Sequence, residues 1–261
     1  MPAKTLQWLF GALMAAFLII PLLVMMPLAF TSSLLLVYPI SSFSFRWFIE
    51  LFTLPVWQRA IVNSLIIGFG TTALATVLGV LAALGLRRRL PMIGGLIRTL
   101  FMLPMVVPAV VLGIGMQILL ARIGLANTHL AVIIAHTVVS VPFVIVSVSG
   151  SLAGIDRRVE LAAASLGASP PRVFAKVTLP LAMPGILTGA VLAFATSLDE
   201  VVLTLFVAGP NQRTLARQMF STIRDNISPA IAAAAFLFIF GTLLLAAVVL
   251  IVRRKKEVAA F

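Results

Sequence analysis

Cysteine is absent from the 261 residues, which excludes disulfides, thiolate metal sites and cysteine nucleophiles together. Acidic residues are scarce, seven Asp and Glu against 19 Lys and Arg, and all charged residues together make up 10% of the chain. That is too little charge for the surface of a water-soluble domain. The phosphate-cradling text Gly-x-x-x-x-Gly-Lys-Ser/Thr is missing, as are the Gly-x-Ser-x-Gly and His-Glu-x-x-His settings that organise hydrolytic sites. Neither a nucleotide site nor an intramembrane hydrolase is expected. Fixed-period repeats and low-complexity segments are missing too.

Hydrophobic residues fill the space that charge leaves, at 62% of the chain with a mean hydropathy of +1.19. They gather into six runs, at 9–33, 59–86, 98–120, 129–150, 181–207 and 228–252. At about 1.5 Å of rise per residue each run crosses about 30 Å of hydrocarbon as a helix. The expectation is an all-α membrane protein of six transmembrane helices, forming one domain over 1–261. The first run exceeds a signal-peptide core and has no small-x-small cleavage text, so it is expected to be a span.

A net charge of +12 raises the question of nucleic acid, and the positions of the basic residues answer it. They cluster beside the apolar runs, as Arg87-Arg88-Arg89, Arg157-Arg158 and Arg253-Arg254-Lys255-Lys256, the pattern of loops facing an anionic leaflet. Alternate connections hold thirteen and six Lys and Arg. The richer side includes both termini, which assigns them to the cytoplasm of a multi-pass plasma or inner-membrane protein. On the poorer side, SFSFRWFIELF within 41–58 reads as a short interfacial helix. Within the runs, Pro104, Pro108 and Pro142 interrupt helical hydrogen bonding, and Gly68, Gly70 and Gly79 admit close packing. Asn63, Gln117 and His136 read foremost as interhelical hydrogen-bonding groups, with substrate contact as the alternative.

The longest inner connection, 151–180, reads differently from its surroundings. Asp156 can cap a helix from Arg157, in which Val159, Ala162, Ala163 and Leu166 form an apolar stripe at i, i+3, i+4 and i+7. Gly167 supplies a left-handed stop. Ser169 precedes Pro170, the pattern of a second capped helix, which Leu179-Pro180 would end. Two short helices around a glycine turn make a small, close-fitting knob, suited to a groove on a partner protein.

The text ELAAASLGASPPRVFAKVTLP, Glu160 to Pro180, followed by LAMPGI, resembles the EAA loop of ABC-importer permeases. Aligned on Gly167, the usual glutamate position holds Leu161, and Glu160 stands one residue earlier. The resemblance covers most of the chain and implies the type I ABC-importer permease fold. It also implies docking on an ATP-binding subunit through Glu160, Ala162, Ala163, Leu166, Gly167, Ala168 and Ser169. The implied partners are a second permease chain, two ATP-binding subunits that use ATP and Mg, and an extracytoplasmic solute-binding protein. No cofactor of this chain is implied. Segment 209–227, with Asn211, Arg213 and Arg217, is the candidate for meeting the binding protein.

Span five carries the adjacent acids Asp199 and Glu200, at a cost of about 2.5 to 3.5 kcal/mol each near a bilayer centre. Neighbours on a helix point about 100° apart, so one acid faces a pathway while the other pairs inside the bundle. Ser197, Asp199 and Glu200 are the candidate pathway residues, receiving a cationic or amine-bearing solute. SLDEVVLTLFVAGP followed by ISPAIAAAAFLFI is similar to the second permease of spermidine/putrescine-type importers. A channel or secondary transporter would also keep acids in a span, but neither needs a capped docking knob.

Overall fold

A computed structural model describes residues 2–88, 93–225 and 227–258. Arg89, one of the expected inner-side arginines, lies outside the described residues. The helices are α1 (Pro2–Leu28), α2 (Arg46–Thr53), α3 (Pro55–Leu86), α4 (Gly94–Met102), α5 (Ala109–Arg122) and α6 (His129–Ala153). They continue with α7 (Arg157–Ser165), α8 (Pro170–Val173), α9 (Leu179–Asp199), α10 (Val202–Val207), α11 (Leu215–Asp225) and α12 (Ala230–Val258). Among the described residues the extended pairing is limited to one antiparallel bridge, Thr31 with Phe43.

Four described segments are long and apolar enough to cross a membrane: Lys4–Leu28, Pro55–Leu86, His129–Ala153 and Pro170–Asp199. The expected third span is broken rather than straight. Its two halves, Gly94–Met105 and Ala109–Arg122, meet at 98°. Proline is the cause: Pro108 has no N–H to continue the ladder, and its ψ of 128° turns the chain out of the helical region just before α5. Pro142, by contrast, lies inside an α6 that continues past it. The expected fifth span also stops early, because Glu200 leaves the helix at ψ 103° and α10 restarts two residues later.

The chain forms two compact units, Met1–Gln58 with Gln218–Thr242 and Arg59–Arg217 with Leu243–Phe261. In the first, Phe30, Phe48 and Phe236 meet with ring centroids 5.0 to 5.6 Å apart. The interfacial segment does form a helix, α2, with Trp47 and Leu51 buried and the Arg46 guanidinium over the Trp47 ring.

The second unit is organised around α6, which packs along α9. A Cβ on Gly185 of α9 would fall 2.6 Å from the carbonyl oxygen of Ser147, so only glycine allows this approach. Val144, Val148 and Leu152 of α6 fill one core with Ala75 and Ala83 of α3 and Ala182 and Ala193 of α9. A second core joins Val132 and Ala135 to Met116 and Leu120 of α5 and to Leu203 and Val207 of α10.

Candidate functional site

The inner connection folds as a knob. Asp156 caps α7 by accepting from the Arg158 N–H at 2.9 Å, and Gly167 ends the turn at φ +87°, with open space around it. Ser169 stands at the cap position of α8, but its side chain makes no capping bond. The second helix does not end at Leu179-Pro180 as expected. It runs on into α9 through a widened π turn at Phe174–Thr178, where the Leu179 N–H reaches the Phe174 carbonyl. Pro180 follows at once, and a widened turn accommodates a residue with no N–H to donate.

No residue of α7 is buried. Its apolar stripe faces outward, with Leu166 90% and Val159 48% exposed and Ala162 exposed beside a half-buried Ala163. Leu161, at the usual glutamate position, is 65% exposed. Glu160, one residue and about 100° away, turns inward. Its Oε1 accepts from Arg87 Nη1 at 2.6 Å and from the Thr178 hydroxyl at 2.6 Å. Arg87 Nη2 donates to the Ile155 carbonyl at 3.4 Å, and Arg157 donates back to the Arg87 carbonyl at 2.9 Å. Desolvation raises the Glu160 pKa, but hydrogen bonds from Thr178 and Arg87 and the charges of Arg87 and Arg157 outweigh it, so the carboxyl titrates below its usual range.

At the other end of α9 the acids separate. Asp199 is the last helical residue and is exposed. Glu200 instead accepts from the Leu203 N–H at 2.9 Å, capping α10. Ser197, expected beside a pathway, is 2% exposed, and its hydroxyl meets His136 Nδ1 at 2.9 Å. The other ring nitrogen of His136 meets the Thr204 hydroxyl at 2.9 Å. His136 therefore ties α6 to both α9 and α10 across the break. Arg217 completes the arrangement by donating to the Thr204 and Ala208 carbonyls at 3.1 and 2.7 Å, the C-terminal end of α10.

The outer segment is held from within. Asn63 donates to the Asn211 and Arg213 carbonyls at 2.8 and 3.0 Å, and His129 lies 2.8 Å from the Asn63 oxygen. Asn211 is exposed, whereas Arg213 and Arg217 are half-buried. The structure thus exposes Ala162, Leu166, Gly167 and Ser169 of the knob, turns Glu160 inward, and splits both acid-bearing pairs. In the sequence Arg87 reads only as one of the inner-side basic residues and Thr178 carries no role, because nothing local in either marks a partner for Glu160, 73 and 18 residues away.

Residues 75–257 match the family described as binding-protein-dependent transport system inner membrane component. The chain belongs to that family. The permease is 30% identical over 226 residues to the spermidine/putrescine transport system permease protein PotC of Haemophilus influenzae, across 86% of this chain and 87% of that one. It is 35% identical over 212 residues to the molybdenum transport system permease protein ModB of Mycobacterium tuberculosis, across 76% and 80%. A solved bacterial ABC transporter involved in the import of the acidic polysaccharide alginate shares the fold, with a TM-score of 0.71 at 16% identity over 98% of this chain and 97% of that one. The expected helical importer-permease fold is present, and this chain is the permease subunit of an ABC importer.

Proposed function

We propose that this permease imports an amine-bearing or cationic small solute, of which polyamines are the leading class. With a second, related permease chain it forms the translocation pathway, and two ATP-binding subunits hydrolyse MgATP outside it. An extracytoplasmic binding protein delivers the solute, meeting the outer segment around the exposed Asn211 and the half-buried Arg213 and Arg217. Both termini lie in the cytoplasm. ATP-driven closure of the partner subunits moves the knob, and the spans joined to it rock between inward-open and outward-open states.

The observation that carries the coupling role is the outward apolar stripe on the capped helix α7, which buries none of its own residues. An exposed Leu166 flanked by alanines and a glycine turn fits a groove in a partner. Glu160 takes no part in that face.

For the solute, Asp199 carries the argument. An exposed acid at the end of a broken span attracts a cation and repels an oxyanion such as molybdate, so the spermidine/putrescine relative is the better guide. Uptake of labelled putrescine and spermidine by the reconstituted importer is expected to exceed that of molybdate. Asp199→Asn is expected to lower polyamine uptake by about tenfold without loss of the assembled complex. Molybdate uptake in place of polyamine uptake would defeat the solute assignment.

A further inference from the structure

The motif by which this loop is recognised presents a glutamate, yet here the glutamate points away from the outward face. Its carboxylate is bound by an ion pair with Arg87, directly after α3, and by Thr178 in the π turn that leads into α9. Both side chains of that pair are largely shielded, 18% exposed for Arg87 and 20% for Glu160. Arg87 is bound to the 155–160 segment three times over, through Glu160, the Ile155 carbonyl and the Arg157 guanidinium.

Side-chain packing along α7 itself adds little to that hold, the nearest packed residues being Ile155 before it and Thr178 in the π turn. With no buried residue in α7, no apolar core fixes its angle. Between it and the span ends lies an open cavity of about 910 Å³, lined among others by Leu84, Arg87, Glu160, Leu161, Ala164 and Phe174. Chain connectivity joins the knob to α6 on one side and to α9 on the other. Nothing covalent nearby joins it to α3.

We propose that Glu160 is a positioning residue that links the knob to α3 through Arg87 and to the π turn through Thr178, rather than a contact with the ATP-binding subunit. Movement of the knob then reaches α3 as well as the two spans that flank it in sequence. The inference rests on the coupling role proposed above. At neutral pH the carboxylate is ionised, so the link is intact under working conditions.

The test uses the assembled importer in proteoliposomes, with three readings: co-purification of the ATP-binding subunit, solute-stimulated ATP hydrolysis, and uptake. Glu160→Ala is expected to lower uptake about tenfold, on the scale of losing a partly shielded ion pair, while the ATP-binding subunit still co-purifies. Arg87→Glu combined with Glu160→Arg is expected to return uptake to within about twofold of the wild type. Loss of the ATP-binding subunit from Glu160→Ala, with no recovery in the exchanged pair, would mean that Glu160 touches the partner. Wild-type uptake in Glu160→Ala would equally overturn the proposal.

Because the chain has no cysteine, Arg87→Cys with Glu160→Cys gives a clean second route. Bridging the pair with a short bifunctional thiol reagent is expected to restore uptake that the unbridged pair lacks. A bridged complex no better than the unbridged one counts against the link. The coupling role fails separately, if charge placed on the outward stripe leaves the ATP-binding subunit bound.

Discussion

The knob and the break after α9 solve the same problem in opposite settings. Each contains an acid beside a residue one helical step away, and each turns one of the two inward to hold structure while the other faces out. In the knob the inward residue is Glu160, and the outward one is the apolar Leu161. At the break the inward residue is Glu200, capping α10, and the outward one is the acidic Asp199. Outside the membrane an exposed apolar surface invites a protein partner, whereas within a span an exposed acid invites a cation. The same 100° step therefore leaves an exposed apolar side chain in one place and a candidate solute contact in the other.

The largest effect is expected where the knob meets its partner. Leu166→Asp and Ala163→Asp add charge to the outward stripe and should abolish co-purification of the ATP-binding subunit, with uptake down by more than about tenfold. Because Leu166 is 90% exposed, the thermal stability of the isolated permease should stay at the wild-type value. Co-purification at wild-type levels would erase the contrast between the two regions.

An intermediate effect is expected at the break, and on stability first. His136→Ala strands the buried Ser197 hydroxyl, leaves Thr204 with only its bond to the Glu200 carbonyl, and should cost about 2 kcal/mol, read as a lower unfolding temperature in detergent. Asp199→Asn should leave that temperature unchanged. If His136→Ala melts with the wild type, the hydrogen bonds across the break do not pin α10.

The smallest effect is expected at the glycine turn. Gly167→Ala places a side chain at φ +87° with open space around it, so its cost is conformational alone, about 1 to 2 kcal/mol. Gly167→Asn should cost less, since asparagine tolerates that region. Co-purification should fall modestly in both and further in the alanine variant. The reverse order would show that the turn is read by a partner rather than by the backbone.

Much of the fold was legible because it depends on one-dimensional properties. Apolar length marked the spans, Asp156 and Gly167 marked the ends of α7, and the spacing of Val159, Ala162, Ala163 and Leu166 marked its stripe. Pro104 and Pro108 were visible as breakers, but the 98° bend they produce was not. Pro142 shows why: proline removes a hydrogen bond everywhere, and the surrounding packing decides whether the helix then turns. The role of His136 as an interhelical tie was foreseen in kind, whereas its partners, 61 and 68 residues away, were not.

By itself the sequence determined a helical membrane protein, and the Asp156 cap, the Gly167 stop and the exposed apolar stripe of its knob. Those follow from hydropathy and local backbone chemistry, which need no partner. Only the tertiary structure decided which acid faces which way. A carboxylate's direction depends on whether a cation, a hydroxyl or a free helix end lies within about 3 Å, and for Glu160 that neighbour is Arg87, brought across 73 residues by the fold.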